Sequence, residues 1–172
     1  MKKLCVILAA MALLFSFGCA GPRLKAPKDP SGNRYMIAVL LDKGITDRLS
    51  SEQVDQRYQL CNWMEKDLMR MLKKAGYQAR RINERSEFSP ASGEYLLSVK
   101  VINYNPGSKA ARLLIGFGAG STSLDIYYEL YGRSPKAILS RDDGVGSSIE
   151  WTKVVQKLNQ KMVDEVSRTL SH

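Results

Sequence analysis

The chain offers few side chains with the types and spacing needed for catalysis. Histidine occurs once, as His172 at the last position, so we expect neither a Ser-His-Asp nor a Cys-His arrangement, nor a histidine metal site. Asp142 and Asp143 precede Gly144, a pattern typical of a turn. Two further acids share one face of a predicted strand and are expected to be solvated: Asp125 and Glu129. We predict a protein that is not an enzyme and holds no metal or cofactor, with a carboxylate-only hydrolase as the alternative.

The most unusual stretch is a glycine segment, Asn105–Thr122, in which three glycines recur with period two: Gly116, Gly118 and Gly120. A phosphate-binding loop would place a lysine after the last glycine, where Ser121 stands. A membrane dimer motif needs about 20 apolar residues. Residues 110–120 number only 11 and include Arg112, so this stretch cannot span a bilayer. Shallow contact with a membrane or a partner remains an alternative.

The period-two spacing favours a strand. Its register continues through Thr122 into the apolar face of the next predicted strand, so the glycines are expected on the core side. A strand face without side chains lets a helix or another backbone approach closely. Either a helix of the same domain covers this face, or it forms a groove for a partner. The partner-binding residues are then expected to be Lys109, Arg112, Gly116, Gly118 and Gly120.

The N-terminal residues have the three parts of a secretory signal peptide. Lys2 and Lys3 precede an apolar run, Leu4–Phe15, that is shorter than the about 20 residues of a bilayer span. Small residues then stand at a cleavage point just before Cys19. Residues 1–18 are therefore expected to be removed.

A cysteine directly after Gly18 resembles the lipobox of bacterial lipoproteins. In that family the thiol takes a diacylglycerol and the peptidase cuts just before it, which implies that Cys19 carries fatty acids such as palmitate. Ser16 and Phe17 depart from the family pattern, which prefers leucine and a small residue there. Ala20 stands where an inner-membrane retention signal would have aspartate, which implies the outer membrane. The alternative is a secreted protein with an incidental cysteine.

Residues 20–33 contain three prolines and two glycines, a composition typical of an extended linker. With Cys5 removed and Cys19 lipidated, Cys61 has no disulfide partner, and its place on a helix face predicts a buried apolar role. The predicted organisation is a signal peptide at 1–18, a lipidated cysteine with a flexible linker at 19–33, and a single domain at 34–172.

The formal net charge is +9, of which two charges belong to the signal peptide. The basic residues are scattered and do not form runs interleaved with aromatic residues, so we expect no nucleic-acid binding. In the cell envelope, the anions that a basic domain meets first are the head groups of phospholipid and lipopolysaccharide.

Hydrophobic periodicity predicts the order strand, helix, four strands, helix. The strands are expected at residues 35–41, 77–82, 95–102, 124–131 and 136–141, the last two as a hairpin. Capping boxes are predicted at Ser50 with Gln53 and at Ser147 with Glu150, and Gly76 is expected to end the first helix.

Each predicted helix has one apolar face. The face of the first is expected to consist of Val54, Tyr58, Cys61, Met64, Leu68, Met71 and Leu72. That of the second is expected to consist of Trp151, Val155, Leu158, Met162, Val166 and Leu170. Because both faces need a surface to bury against, we predict an α+β two-layer sandwich: a mixed sheet of about five strands, its first two parallel, with both helices on one face.

Tyr95-Leu96-Leu97, followed by the stretch 107–112 and by Gly116-Phe117-Gly118-Ala119-Gly120, resembles the lipoprotein family known as domain of unknown function 4410. The resemblance covers residues 35–170 and implies an envelope location and a small α+β domain. Family members often have a longer basic or polar stretch where Ser121-Thr122 stands, so no ligand role is carried over.

The expected function is that of a non-enzymatic outer-membrane lipoprotein facing the periplasm. It would be an accessory or docking module of an envelope complex, bound to the membrane through a lipid on Cys19 and to an envelope protein partner. The alternative is a periplasmic binding module for an anionic lipid or glycan.

Overall fold

The computed structural model describes residues 24–29, 31–90, 93–107, 120–147 and 150–171. Within them the predicted order of elements is confirmed, with a short 3₁₀ turn added at Arg85–Glu87. The elements are β1 (Met36–Asp42), α1 (Ser51–Ala75), β2 (Gln78–Ile82), β3 (Glu94–Asn105), β4 (Thr122–Tyr131), β5 (Ala137–Ser147) and α2 (Trp151–Leu170).

The five strands form one mixed sheet in the order β2-β1-β3-β4-β5. The strand β1 runs parallel to both of its neighbours, β2 and β3. The next two pairs, β3 with β4 and β4 with β5, are antiparallel. A parallel pair needs a long crossover connection, and α1 supplies it between β1 and β2.

The start and the end of α1 confirm the sequence prediction. Ser50 Oγ accepts a hydrogen bond from the Gln53 amide at 3.3 Å, and Gln53 Oε1 accepts one from the Ser50 amide at 2.9 Å. The helix ends at Gly76, whose left-handed backbone (φ +118°) directs its N–H back to the last turn. The predicted apolar face is wrong at one position, because Tyr58 is exposed and Arg57 is buried in its place.

The second predicted capping box is wrong. Ser147 is the last residue of β5, and α2 begins with Glu150 at the N-cap, whose side chain makes no cap hydrogen bond. The predicted turn at Asp142-Asp143-Gly144 is also wrong, since these residues continue β5 opposite β4. In this pairing Gly144 lies opposite Asp125, whose carboxylate would have to move to accommodate a Cβ atom at residue 144.

The main core lies between one face of the sheet and both helices, which confirms the two-layer α+β sandwich. Along β4 every second residue is buried, from Thr122 to Leu130, in the predicted register. The opposite face of the sheet carries a small second cluster, formed by Ala38, Ile82 and Leu96 and partly covered by Phe88.

Buried polar contacts join the two helices and tie α2 to the start of β2. Asn159 Nδ2 donates to Met64 O at 3.0 Å and to Asp67 Oδ2 at 2.9 Å. Tyr77 OH donates to Ser167 Oγ at 3.0 Å. Because a buried polar group is costly without a partner, these contacts fix the register of the two helices.

The sheet has two chemically different ends. At the loop end, β1 and β3 finish, β4 begins, and the glycine segment connects β3 to β4. At the linker end, β1 and β3 begin, and the turn between β4 and β5 lies beside them. Part of the predicted linker packs on the domain at this end, since the Ala26 amide donates to Ala75 O at 2.9 Å.

Candidate functional site

Most residues of the sequence-predicted site lie outside the described residues: Cys19, Lys109, Arg112, Gly116 and Gly118. Gly120 is described, and there the predicted strand register is wrong. Its backbone is left-handed (φ +67°), it forms a turn, and β4 starts only at Thr122. A residue in this conformation cannot continue a pleated strand.

Close contacts at the loop end hold the two ends of the glycine segment together. Thr122 Oγ1 donates to Pro106 O at 2.8 Å, and the Gly107 amide donates to Asn105 Oδ1 at 2.9 Å. A Cβ atom on Gly107 would lie 2.4 Å from Gly120 O, so only glycine at residue 107 allows the two ends of the segment to approach this closely. The described residues at the two ends of the glycine segment, 105–107 and 120–122, are therefore in direct contact.

A buried arginine on α1 organises the neighbouring loop, residues 43–50. Arg57 is 5% exposed, and its guanidinium donates to three backbone carbonyls. Nη1 bonds Lys43 O at 3.2 Å and Val101 O at 3.1 Å, and Nη2 bonds Ile102 O at 3.3 Å. Burial lowers the pKa of Arg57 from its usual value. The contacts tie α1 to this loop and to the end of β3.

Irregular backbone supplies the carbonyls that Arg57 binds. The register of β3 shifts between Val101 and Asn103, the sign of a β-bulge. In the loop, the Gly44 amide donates to Asp42 Oδ1 at 2.8 Å. Gly44 has φ +62°, and a Cβ atom there would lie 1.9 Å from Val101 O. Glycine at this position is what lets the loop lie against β3.

A cleft of about 520 Å³ opens beside these contacts, between the start of α1 and the end of β3. Its lining is mostly polar and includes the amide side chains of Gln53, Gln56, Asn103 and Asn105. Exposed apolar side chains occur at the same end: Ile45, Tyr58 and Ile102 are each 40–51% exposed. Lys43 Nζ lies 5.2 Å from the centre of the Tyr58 ring. Such a surface is suited to binding.

The groups that could have carried chemistry are engaged in structural contacts. Cys61 is buried as predicted, and burial raises the pKa of its thiol to about 11. Asp143 Oδ1 accepts from Lys161 Nζ at 2.7 Å. The remaining predicted acids are not brought together, because Asp125 pairs with Asn103 and Glu129 with Tyr131. In the described residues, no group of three or more histidine, cysteine, aspartate or glutamate side chains could hold a metal ion.

Sequence reasoning missed Arg57 as the organiser of the loop end. The signal was present, because Arg57 lies three residues after Val54 and four before Cys61, the spacing of one helix face. A cation on an apolar face indicates a buried polar partner, and here the partners are backbone carbonyls that the sequence does not reveal.

No helix among the described residues has the length and apolar character needed to cross a membrane. The search of curated proteins finds no match for the chain.

Among solved structures, a PelC dodecamer from Paraburkholderia phytofirmans is similar to this chain at 13% identity. The match covers 86% of this chain and 95% of the other, with a TM-score of 0.51, and it bears on the fold alone. Lipoprotein B from Nitrosomonas europaea matches at 12% identity over 91% of this chain and 94% of its own, with a TM-score of 0.39.

A family model confirms the resemblance, which covered residues 35–170, over nearly the same range. The model described as domain of unknown function matches residues 31–171, which include every strand, both helices and both ends of the sheet. The chain therefore belongs to the DUF4410 family.

Proposed function

We propose that this protein is an outer-membrane lipoprotein, anchored through Cys19, whose domain is a docking module for a protein of the cell envelope. The module acts by binding and carries out no reaction. Its docking surface is the loop end, with the glycine segment and the loop of residues 43–50.

The observation that supports this proposal is the combination of a fixed backbone and exposed apolar side chains at one end of the sheet. Arg57 and Thr122 hold the bases of two adjacent loops through buried or partly buried hydrogen bonds. Around them Ile45, Tyr58 and Ile102 remain exposed. A preorganised surface loses little conformational entropy on binding, and burial of its apolar side chains favours association.

In-cell photo-crosslinking tests this surface. A photoreactive residue is placed at Arg112, Tyr58 or Ile102 for the loop end and, as a control, at the exposed Lys157 on α2. We expect one recurrent protein adduct from the loop-end positions and none from the control. A dimer-sized adduct would identify a second copy of the chain as the partner. Equal adducts from all positions, or none from the loop end, would contradict docking there.

The anchor has its own test, because docking and lipidation can fail separately. We expect radiolabelled palmitate to be incorporated into the chain and Cys19→Ser to abolish that incorporation. The same substitution should release the protein from the outer-membrane fraction. Unchanged labelling of Cys19→Ser, or unchanged fractionation after a high-salt wash that removes electrostatically bound protein, would refute anchoring through this residue.

A second candidate function is binding of an anionic lipid or glycan by the mature domain. It is favoured by three basic residues that line a second cleft at the linker end and have no carboxylate within salt-bridge distance among the described residues: Lys28, Arg34 and Arg133. Salt-sensitive binding of the lipid or glycan, together with the absence of any protein adduct from the loop-end positions, would distinguish it from docking.

A further inference from the structure

Basic side chains collect at the linker end of the sheet. Seven of them come from the segment before β1, the last turn of α1 and the turn between β4 and β5: Lys25, Lys28, Arg34, Lys73, Lys74, Arg133 and Lys136. Within the described part of the chain, none of the seven has a carboxylate within salt-bridge distance. Their positive charges are therefore available to solvent or to an anionic ligand.

The acids at this end offset only a small part of that charge. Asp29 Oδ1 accepts hydrogen bonds from the amides of Ser31 and Asn33, at 2.9 and 2.7 Å. Glu94 is buried, and its carboxylate accepts from Arg80 Nε and Nη2 at 2.5 and 2.8 Å. Asp29 and Glu94 are the acids that line the local cleft, and each accepts hydrogen bonds from other residues of the domain.

The cleft at the linker end has a volume of about 1190 Å³. Lys28, Arg34 and Arg133 line it together with two tyrosines. The rings of Tyr35 and Tyr95 meet edge to face, with centroids 5.4 Å apart. Burial raises the pKa of Tyr35 above its usual value, and the neighbouring Tyr95 and Asp29 add to this effect. Cations and tyrosines at one site are suited to a phosphate beside an apolar surface.

Exposed apolar side chains complete this surface. Leu24, Met36 and Ile138 are exposed, and Met36 and Ile138 line the same cleft. Lysine, arginine, tyrosine and large aliphatic residues together form the composition that proteins present to the head-group region of a bilayer. A free anion would need only the cations, whereas a lipid also meets the apolar side chains.

We propose that the linker end is a binding surface for anionic phospholipid, with Lys28, Arg34 and Arg133 contacting the lipid phosphates at the mouth of the cleft. The proposal rests on the proposed envelope location. Geometry supports it, because only four residues separate Cys19 from Leu24 and the five extended steps between them reach at most about 17 Å. An anchor on Cys19 therefore keeps this end of the domain close to the membrane surface.

Vesicle flotation tests the proposal without the anchor or a protein partner. The chain without its signal peptide, residues 19–172 carrying Cys19→Ser, is mixed with phosphatidylcholine vesicles, with or without phosphatidylglycerol. We expect binding only to the vesicles that contain phosphatidylglycerol, and weaker binding at high salt. A cation near an anionic surface contributes about fivefold to partitioning, so Lys28→Gln, Arg34→Gln and Arg133→Gln together should weaken binding by about 100-fold.

The matched control replaces three exposed lysines of the helices by glutamine: Lys66, Lys153 and Lys157. It therefore has the same net charge as the triple variant of the linker end. It should bind within about threefold of the parent chain, because these charges lie away from the bound end. Equal losses in both triple variants, or equal binding to phosphatidylcholine alone, would overturn the proposal. Neither result would affect docking at the loop end, which is measured by protein adducts. The six substituted positions are exposed, so all variants should keep the parent melting temperature.

Discussion

At the scale of single residues, Arg57 shows how a buried cation can stabilise irregular backbone. The bulge in β3 and the adjoining loop direct three carbonyls towards α1. A guanidinium suits this task because it presents five N–H donors in one plane, whereas lysine would offer a single ammonium group. The residue thus donates to one buried and two partly buried carbonyl acceptors.

Replacing this arginine should loosen the loop end and destabilise the whole domain. Arg57→Met keeps the apolar stem but removes every donor, so we expect the free energy of unfolding to fall by about 2–3 kcal/mol. Lys66→Met on the exposed side of α1 should change it by less than about 0.5 kcal/mol. Urea unfolding followed by circular dichroism measures both values. Equal effects of the two substitutions would show that the carbonyl contacts do not stabilise the fold.

The buried thiol of Cys61 makes stability depend on alkaline pH. Burial raises its pKa in the folded state to about 11, whereas an unfolded chain ionises near pH 8.5. A raised folded-state pKa gives stability that is complete below the unfolded value and is lost as pH rises through the folded value. Between pH 8.5 and 11, Cys61 should therefore cost the fold about 2–3 kcal/mol.

Cys61→Val separates this effect from tyrosine ionisation, because it removes the thiol and leaves the tyrosines in place. The decline in unfolding free energy between pH 8.5 and 11 should be shallower in the variant by the amount attributed to the thiol. Parallel pH profiles of the two proteins would contradict the assignment. Urea unfolding at a series of pH values provides the measurement.

At the scale of elements, the sequence predicted those features that depend on residues close together along the chain, such as the ends of a helix and the buried face of a strand. The capping box and the terminal glycine defined α1 because their partners lie within four residues along the chain. The buried face of β4 followed from period-two alternation. The extension of β5 could not be predicted, since the pairing of Asp142 and Asp143 with β4 depends on a contact between separate strands. The left-handed turn at Gly120 likewise depends on Gly107, thirteen residues earlier.

The base of the glycine segment should tolerate no side chain at Gly107. Alanine there would combine a left-handed backbone (φ +75°) with a Cβ atom 2.4 Å from Gly120 O. Gly93 is the matched control, because its φ is +76° but nothing lies within 4 Å of a Cβ atom. We expect Gly93→Ala to cost about 1 kcal/mol and Gly107→Ala at least about 2 kcal/mol more. Equal losses on thermal unfolding would mean that the close approach is not maintained in solution.

At the scale of the whole molecule, the two ends of the sheet divide the proposed roles. The linker end has cations without a carboxylate partner among the described residues, and Leu24 at this end lies five positions from Cys19. The loop end has apolar side chains around a fixed backbone. The ten residues of β4 extend between them, about 30 Å along the strand. A domain anchored at one end would therefore present the other to a partner at a fixed height above the membrane.

This arrangement predicts how the anchored protein is oriented on a bilayer. A fluorophore is attached to Ile138→Cys at the linker end or to Ile45→Cys at the loop end, in a lipidated chain that also carries Cys61→Ala. Both sites are exposed, so labelling should leave the fold unchanged. Energy transfer to an acceptor in the lipid head groups should be strong from residue 138 and weak from residue 45, because the strands separate the two ends by about 30 Å. Equal transfer from both positions would mean that the domain lies on its side. In that orientation the loop end would contact lipid, and a periplasmic partner could not dock there as proposed.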